Sequence, residues 1–190
     1  LGKMLKRIGT RRVCQERAVK VYKLHTGPRY ISKVHKGQKS YPQYHSRCEL
    51  DSHADTFVAG HNCLLMHLTD RQCNVVPYSS EYEAKTGIPI AQVATGYTTV
   101  DGRRFILIIN EALWMPELER SLMNPNQVRH AGVTVHANPY SQKPMIIQDL
   151  EQEFTACLKS EGTDIFLSTW TPSQSDLQAY KKIVLTSDSP

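Results

Sequence analysis

The sequence predicts a mainly β protein, a small barrel-like lobe with one or two short helices. Three observations predict it. From Cys48 onward the apolar residues come in short runs of strand length separated by turn residues. The pair Asp101-Gly102, a hairpin turn signal, stands just before the uninterrupted apolar run 105–109. Helix signals are confined to two places, residues 118–130 and the stretch opening at Thr171.

The chain of 190 residues is long enough for one ordinary domain, or for a compact domain with long tails, and its 40% hydrophobic content is adequate for a core. Its charge is unevenly placed. Residues 1–47 hold 13 Lys and Arg and one acid, Glu16, for a local charge of +12. The remaining residues hold 10 basic and 17 acidic side chains, or −7. Charge segregated this way reads as a basic, mostly flexible arm (1–47) joined to a mildly acidic globule. Within the arm, residues 19–24 alternate and read as one exposed strand. Tyr22, Tyr30, Tyr41 and Tyr44 lie among the cations, so RNA or DNA is a candidate partner: cations track phosphates and aromatics stack on bases without sequence choice.

The globule reads strand by strand. Residues 72–78 form a strand running into a loop, 88–97 a second, and 105–109 a third that is apolar throughout and therefore buried on both faces. Residues 118–130 have helical spacing, with Pro125 limiting where the helix starts. Residues 139–144, bounded by Pro139 and Pro144, are the candidate linker. Beyond it, 154–158 and 165–170 read as strands joined by a turn at Glu161-Gly162. A helix with Thr171 as N-cap and Pro172 at its first position comes next, and then a final strand at 183–186. The expected organisation is an arm (1–47), a β domain (48–140) and a C-terminal β/α extension or linker (141–190).

Five cysteines (Cys14, Cys48, Cys63, Cys73, Cys157) at irregular spacing suit reduced intracellular thiols. No apolar run approaches the roughly 18 residues that a membrane helix needs, so no membrane partner is expected. The chain opens on Leu1 rather than Met, which suggests a segment of something longer, as either a polyprotein or a trimmed chain would give. His53, His61, Cys63, His67 and Cys73 are the densest Cys/His grouping, but they lack the paired spacing of a closed zinc site. No Gly-x-Ser-x-Gly elbow and no Gly-Lys-Ser/Thr phosphate loop occurs.

The remaining chemical candidate is the run Glu49-Leu50-Asp51-Ser52-His53-Ala54-Asp55. Asp51 ends an expected strand and is followed by a hydroxyl, small residues and a second acid. Peptide hydrolysis by paired aspartates needs two carboxyls sharing one proton, so that one activates water and the other protonates the substrate carbonyl. A chain with one such motif can supply the pair only by dimerising about a two-fold axis. Taken alone, Asp-Ser is an ordinary turn or helix cap.

Asp51-Ser52-His53-Ala54-Asp55 resembles the Asp-Ser/Thr-Gly-Ala-Asp motif of retroviral and retrotransposon proteases, most closely those of copia-type elements. The apolar run 105–109, then Ala112-Leu113-Trp114-Met115-Pro116-Glu117-Leu118 and Ser121-Leu122-Met123-Asn124, continue the resemblance in the family's order, over roughly residues 48–135. The segment 154–190 looks like the one directly C-terminal to the protease in some copia-type polyproteins.

The resemblance implies a retropepsin-like lobe completed by homodimerisation, an aspartic endopeptidase that processes its own polyprotein. It makes Asp51 the catalytic carboxylate and Ser52 the hydroxyl that braces the pair, with Asp55, Ala54 and His53 contacting substrate. It places a flap within 74–89, where Gly87 is the only glycine. It requires no cofactor and no metal. It implies an intracellular, cytoplasmic setting, in a virus-like particle for an active element. His53, standing where the motif has glycine, is the main departure: an imidazole must fit a widened loop or point away. That departure leaves an alternative, an inactive protease-like module whose basic arm holds nucleic acid.

Overall fold

A computed structural model of the chain describes residues 46–76 and 83–187. The strand expected at 19–24 and nearly all of the basic arm lie outside the described residues. Within them the protein is mainly β, with two short helices, as the alternation and turn signals imply.

The elements in chain order are β1 (Ser46–Leu50), β2 (Val58–Ala59), β3 (Leu64–Val75), β4 (Lys85–Thr98), β5 (Arg104–Trp114), β6 (Ser121–Met123), α1 (Pro125–His130), β7 (Thr134–His136), β8 (Ile146–Asp149), β9 (Phe154–Cys157), β10 (Lys159–Glu161), β11 (Asp164–Thr169), α2 (Asp176–Ala179) and β12 (Lys181–Val184). One sheet runs in the order β10-β11-β1-β6-β2-β5-β4-β3, with β12 also on β5; a second runs β7-β8-β9. The long path ends at β10 and β3, so this sheet is open. Most neighbours are antiparallel, but β1 pairs β6 in parallel, and both β2 and β12 pair β5 in parallel.

β5 is the centre of the fold, and its composition explains why. Phe105, Ile106, Leu107, Ile108 and Ile109 are all buried, and pleating sends alternate members to opposite faces. Phe105, Leu107 and Ile109 join the main core with Val128 of α1, Val135, Ile147 and Phe154 of the small sheet, and Ile183 of β12. Ile106 and Ile108 meet Ala94 and Leu177 of α2 on the other face. Burying each such side chain contributes about 1.5–3 kcal/mol before chain entropy is subtracted. Phe154 packs edge-on against Phe105 and Tyr97, at centroid distances of 5.4 and 6.0 Å. The turn before β5 forms where Asp101-Gly102 places it, with Gly102 at φ +84, a backbone state that glycine adopts without a Cβ penalty.

A buried polar node ties the sheet together. The Ser121 hydroxyl donates to Asn62 Oδ1 (2.6 Å), and Asn62 Nδ2 donates to Thr169 Oγ1 (3.1 Å). The Gly60 N–H donates to Ser121 Oγ (2.9 Å), and Thr95 Oγ1 donates to the Asn62 carbonyl (3.1 Å). These bonds join β4, β6, β11 and the loop between β2 and β3. Stranding any one of these buried groups would cost about 1–3 kcal/mol. Gly60 is confined as well: a Cβ there would lie 2.6 Å from the Arg120 carbonyl oxygen.

The differences from the sequence-based expectations have local causes. β3 begins at Leu64 rather than 72, because its first half alternates too weakly to read as a strand. Of residues 118–130 only Pro125–His130 are helical. Pro125 fixes the start, and Ser121–Met123 are pulled into β6 by pairing with β1. The turn at Glu161-Gly162 joins β10 to β11, not β9 to β11, and β9 belongs to the other sheet. Thr171 does not cap α2. That helix starts after Ser175, with Ser173 and Asp176 hydrogen-bonded to each other.

Residues 139–144 connect the antiparallel pair β7 and β8, so they are a hairpin connection rather than a linker between domains. A boundary at 140/141 falls inside that connection. Beyond it, β11 pairs antiparallel with β1 from Ser46↔Thr169 to Glu49↔Phe166, and β12 lies on β5. The C-terminal extension is thus woven into the sheet that carries β1. We predict that deleting residues 141–190 abolishes cooperative unfolding, because β1 loses its antiparallel neighbour and β5 loses β12. Thermal unfolding followed by circular dichroism reads this out, and a sharp transition in the truncated chain would contradict it.

Candidate functional site

Asp51 sits where β1 ends. Its N–H donates to the Met123 carbonyl (3.0 Å), extending the parallel β1–β6 ladder by one bond. The chain turns immediately afterwards. The His53 N–H donates back to Asp51 Oδ1 (2.9 Å), fixing the carboxylate by a short local loop. His53 therefore supplies the close backbone N–H that a glycine would, while its side chain is 95% exposed. Its Nδ1 lies 3.6 Å from Asp51 Oδ1. The Asp51 side chain is 38% exposed.

The residues after the motif are held by α1. Asn124 is its N-cap: Oδ1 accepts from the Asn126 N–H (2.7 Å), and Nδ2 donates to the Ala54 and Asp55 carbonyls at 2.5 and 3.0 Å. Gln127 adds a second tie, accepting from the Phe57 N–H (2.9 Å). One short helix thus fixes the loop 54–57 by side chains from its first turn.

Above this floor stands the β3–β4 hairpin. The connection between its strands, residues 76–84, lies within the stretch 74–89 expected to hold the flap; residues 77–82 lie outside the described residues. A cleft of about 840 Å³ opens between the hairpin and the loop. Asp51, His53, Ala54 and Asp55 of the loop line it, together with Arg71, Cys73, Asn74, Val75 and Val76 of the hairpin. Val58, Ile90, Leu113 and Leu122 give it apolar walls, and Glu111, Gln127 and His130 add polar groups. This combination of apolar walls and a few convergent polar groups is what ligand clefts show.

The structure thus brings four of the five expected site residues, Asp51, His53, Ala54 and Asp55, to one cleft. Ser52 is exposed beside Asp51 and does not line it. Arg71, Glu111, Asn124 and Gln127 were missed in the sequence. Of these, Asn124 alone had a readable signal, an Asn before a Pro at a helix start. The Cys/His grouping disperses. Cys63 is buried 3.3 Å from Ser121 Oγ, His61 Nδ1 bonds to the Leu118 carbonyl, His67 is exposed and Cys73 faces the cleft. Among the described residues no three His, Cys, Asp or Glu side chains converge to hold a metal ion. Burial pushes the Cys63 thiol up to about 12, and burial likewise raises Cys48 well above its ordinary value. Both therefore stay protonated near neutrality, which is unsuited to a nucleophile.

No family model, curated protein or solved structure matches the chain. Among the described residues no helix is long and apolar enough to cross a membrane.

Asn124 carries the most bonds between α1 and the motif loop, so Asn124→Ala should lower stability by about 1–3 kcal/mol through the lost cap and the stranded carbonyls. Chemical denaturation tests this. A midpoint unchanged from the parent would show that the loop is held by other means.

Proposed function

We propose that the chain is a homodimeric aspartic endopeptidase of the retroelement type, with Asp51 from each of two copies forming the catalytic pair. The observation that carries the proposal is the placement of Asp51. It lies at a strand end, on the floor of an open cleft beneath a long β hairpin, in a sequence that resembles the copia-type protease motif.

The chemistry is set by that placement. One Asp51 carboxylate takes a proton from a water as the water attacks the peptide carbonyl, and the other, protonated, donates to the carbonyl oxygen. Ser52, exposed beside Asp51, braces the pair across the two-fold axis. The backbone of 53–55 and the Asp55 side chain hold the substrate chain, and the β3–β4 hairpin closes over it. The second copy completes the lobe, and polyprotein segments are the substrates. On this reading the protein works inside the cell, in a virus-like particle when the element is active, and needs no cofactor.

On this reading the loop accommodates His53: its backbone N–H meets Asp51 Oδ1, and its solvent-exposed ring stands beside the same carboxylate, with Nδ1 3.6 Å away. Cleavage of polyprotein junction peptides is expected, with an acidic to near-neutral optimum and inhibition by a hydroxyl transition-state analogue such as pepstatin. Asp51→Asn should lower kcat/KM by at least about a thousandfold, the scale of losing an essential catalytic group. Equal cleavage by parent and variant would refute the assignment.

The charge of the arm favours a second reading. With +12 over residues 1–47, the chain binds RNA or DNA through its phosphates, either instead of proteolysis or alongside it. Removing residues 1–47 should abolish binding to a single-stranded oligonucleotide, and binding by the intact chain should weaken steeply with salt. Affinity unchanged by the deletion, measured by fluorescence anisotropy, would exclude the arm.

A further inference from the structure

Among the sheet's register shifts, two bring residues of neighbouring ladders together at this cleft. Between β3 and β4 the register jumps from Leu68↔Ala91 to Gln72↔Pro89, so Thr69, Asp70 and Arg71 stand opposite Ile90 alone. Between β4 and β5 it jumps from Ala91↔Ala112 to Val93↔Ile109, so Asn110 and Glu111 stand opposite Gln92 alone. Glu111 has φ +56, a left-handed state that costs a residue with a Cβ about 1–2 kcal/mol. Bulges of this kind re-aim side chains and recur beside active sites.

The surroundings hold both bulges in place. Thr69 Oγ1 donates to the Ile90 carbonyl (2.8 Å) and accepts from the Arg71 N–H (3.2 Å). Thr56 Oγ1 donates to the Glu111 carbonyl (2.7 Å). Asn110 is clamped on three sides, its N–H to Thr186 Oγ1 (2.8 Å), its Nδ2 to the Thr186 carbonyl (3.0 Å) and its Oδ1 to Gln92 Nε2 (2.7 Å). The result is an ion pair between Arg71 and Glu111, reaching across β4 and lining the cleft.

The partners are not equivalent. The Glu111 side chain is 16% exposed and the Arg71 side chain 42%. A carboxylate covered to that degree and met by a guanidinium is largely satisfied. A guanidinium has five donors in a planar fork, and Glu111 occupies at most two of them. Arg71 itself lines the cleft.

We propose that Arg71 is a specificity-determining residue that reads an acidic or carboxamide side chain of the bound peptide at one subsite, with Glu111 as the positioning residue that holds its fork. The inference rests on the cleft being a peptide site. Asp51, Asp55 and Glu111 also line this cleft, so a basic side chain is the competing preference. Arg71 prevails because its half-exposed guanidinium keeps donors that the covered Glu111 carboxylate does not use.

The test uses the full chain and octapeptide libraries with Glu, Gln, Leu or Lys fixed in turn at each position. For the parent, kcat/KM should favour Glu or Gln over Lys by about tenfold or more at one subsite, as expected where a polar site would otherwise be left unpaired. Arg71→Gln should collapse that ratio, and Arg71→Glu should reverse it towards Lys. Glu111→Gln should keep its direction but weaken it, with the loss appearing in KM rather than kcat. A ratio unchanged in Arg71→Gln would overturn the proposal, as would a parent with no such preference at any position. If the parent cleaves nothing, the proteolytic reading falls, and Arg71 is judged by binding. Fluorescein-labelled Glu and Lys peptides are then compared on Asp51→Asn and on Asp51→Asn combined with Arg71→Gln. An acidic preference lost with Arg71 supports its role, and equal binding by the two proteins overturns it.

Discussion

The parallel pairing of β1 with β6 is the contact on which the rest of the site depends. It joins segments about seventy residues apart, from Cys48↔Ser121 to Leu50↔Met123, and ends with the Asp51 N–H on the Met123 carbonyl. Nothing local enforces it, since β6 is three residues long and would not persist alone. Burial on either side enforces it. Cys48 and Met123 lie in the main core, and Ser121 sits in the polar node with Asn62 and Thr169. Once β6 is fixed, Asn124 comes directly after it, caps α1 and reaches the carbonyls of Ala54 and Asp55. A single strand pairing therefore sets both the carboxylate and the loop beyond it.

The site combines a rigid floor with deliberate irregularity above it. The floor draws on β1, β6 and α1, all tied into the main core. The walls draw on β3, β4 and β5, where four register shifts interrupt the ladders and one residue, Glu111, accepts an unfavourable backbone state. Strain of that size persists only where neighbours over-determine it, and the bonds from Thr56, Asn110 and Gln92 do so.

Much of the fold was legible in the sequence, for physical reasons that differ by element. The run 105–109 could be read as doubly buried because no polar residue interrupts it, and Asp101-Gly102 because a tight turn favours a residue free to adopt positive φ. Asp51 could be singled out because a strand-ending Asp-Ser with a second acid is uncommon in company with the ordered segments after it. The rest was set by tertiary pairing. Local patterning carries no trace of β1's preference for a partner over a hundred residues away in β11, nor of β7–β9 forming a sheet of their own. Bulges escaped for the same reason. Arg71 and Glu111 lie in stretches whose alternation breaks, and a broken alternation reads as a weak strand until the opposite strand is known. Asn124 stands in the motif order of the resemblance, yet its work as a latch depends on a loop seventy residues earlier.

The central claim is that one Asp51 acts with another. A crystal structure of the full chain bound to a peptide containing a hydroxyl transition-state isostere measures this most directly, through the distance between the two Asp51 carboxylates. The predicted result is a two-fold symmetric dimer with both carboxylates within hydrogen-bond reach of the central hydroxyl, about 2.6–3.2 Å between heavy atoms. A monomer holding the ligand, or a dimer whose two Asp51 side chains face separate clefts, would contradict it.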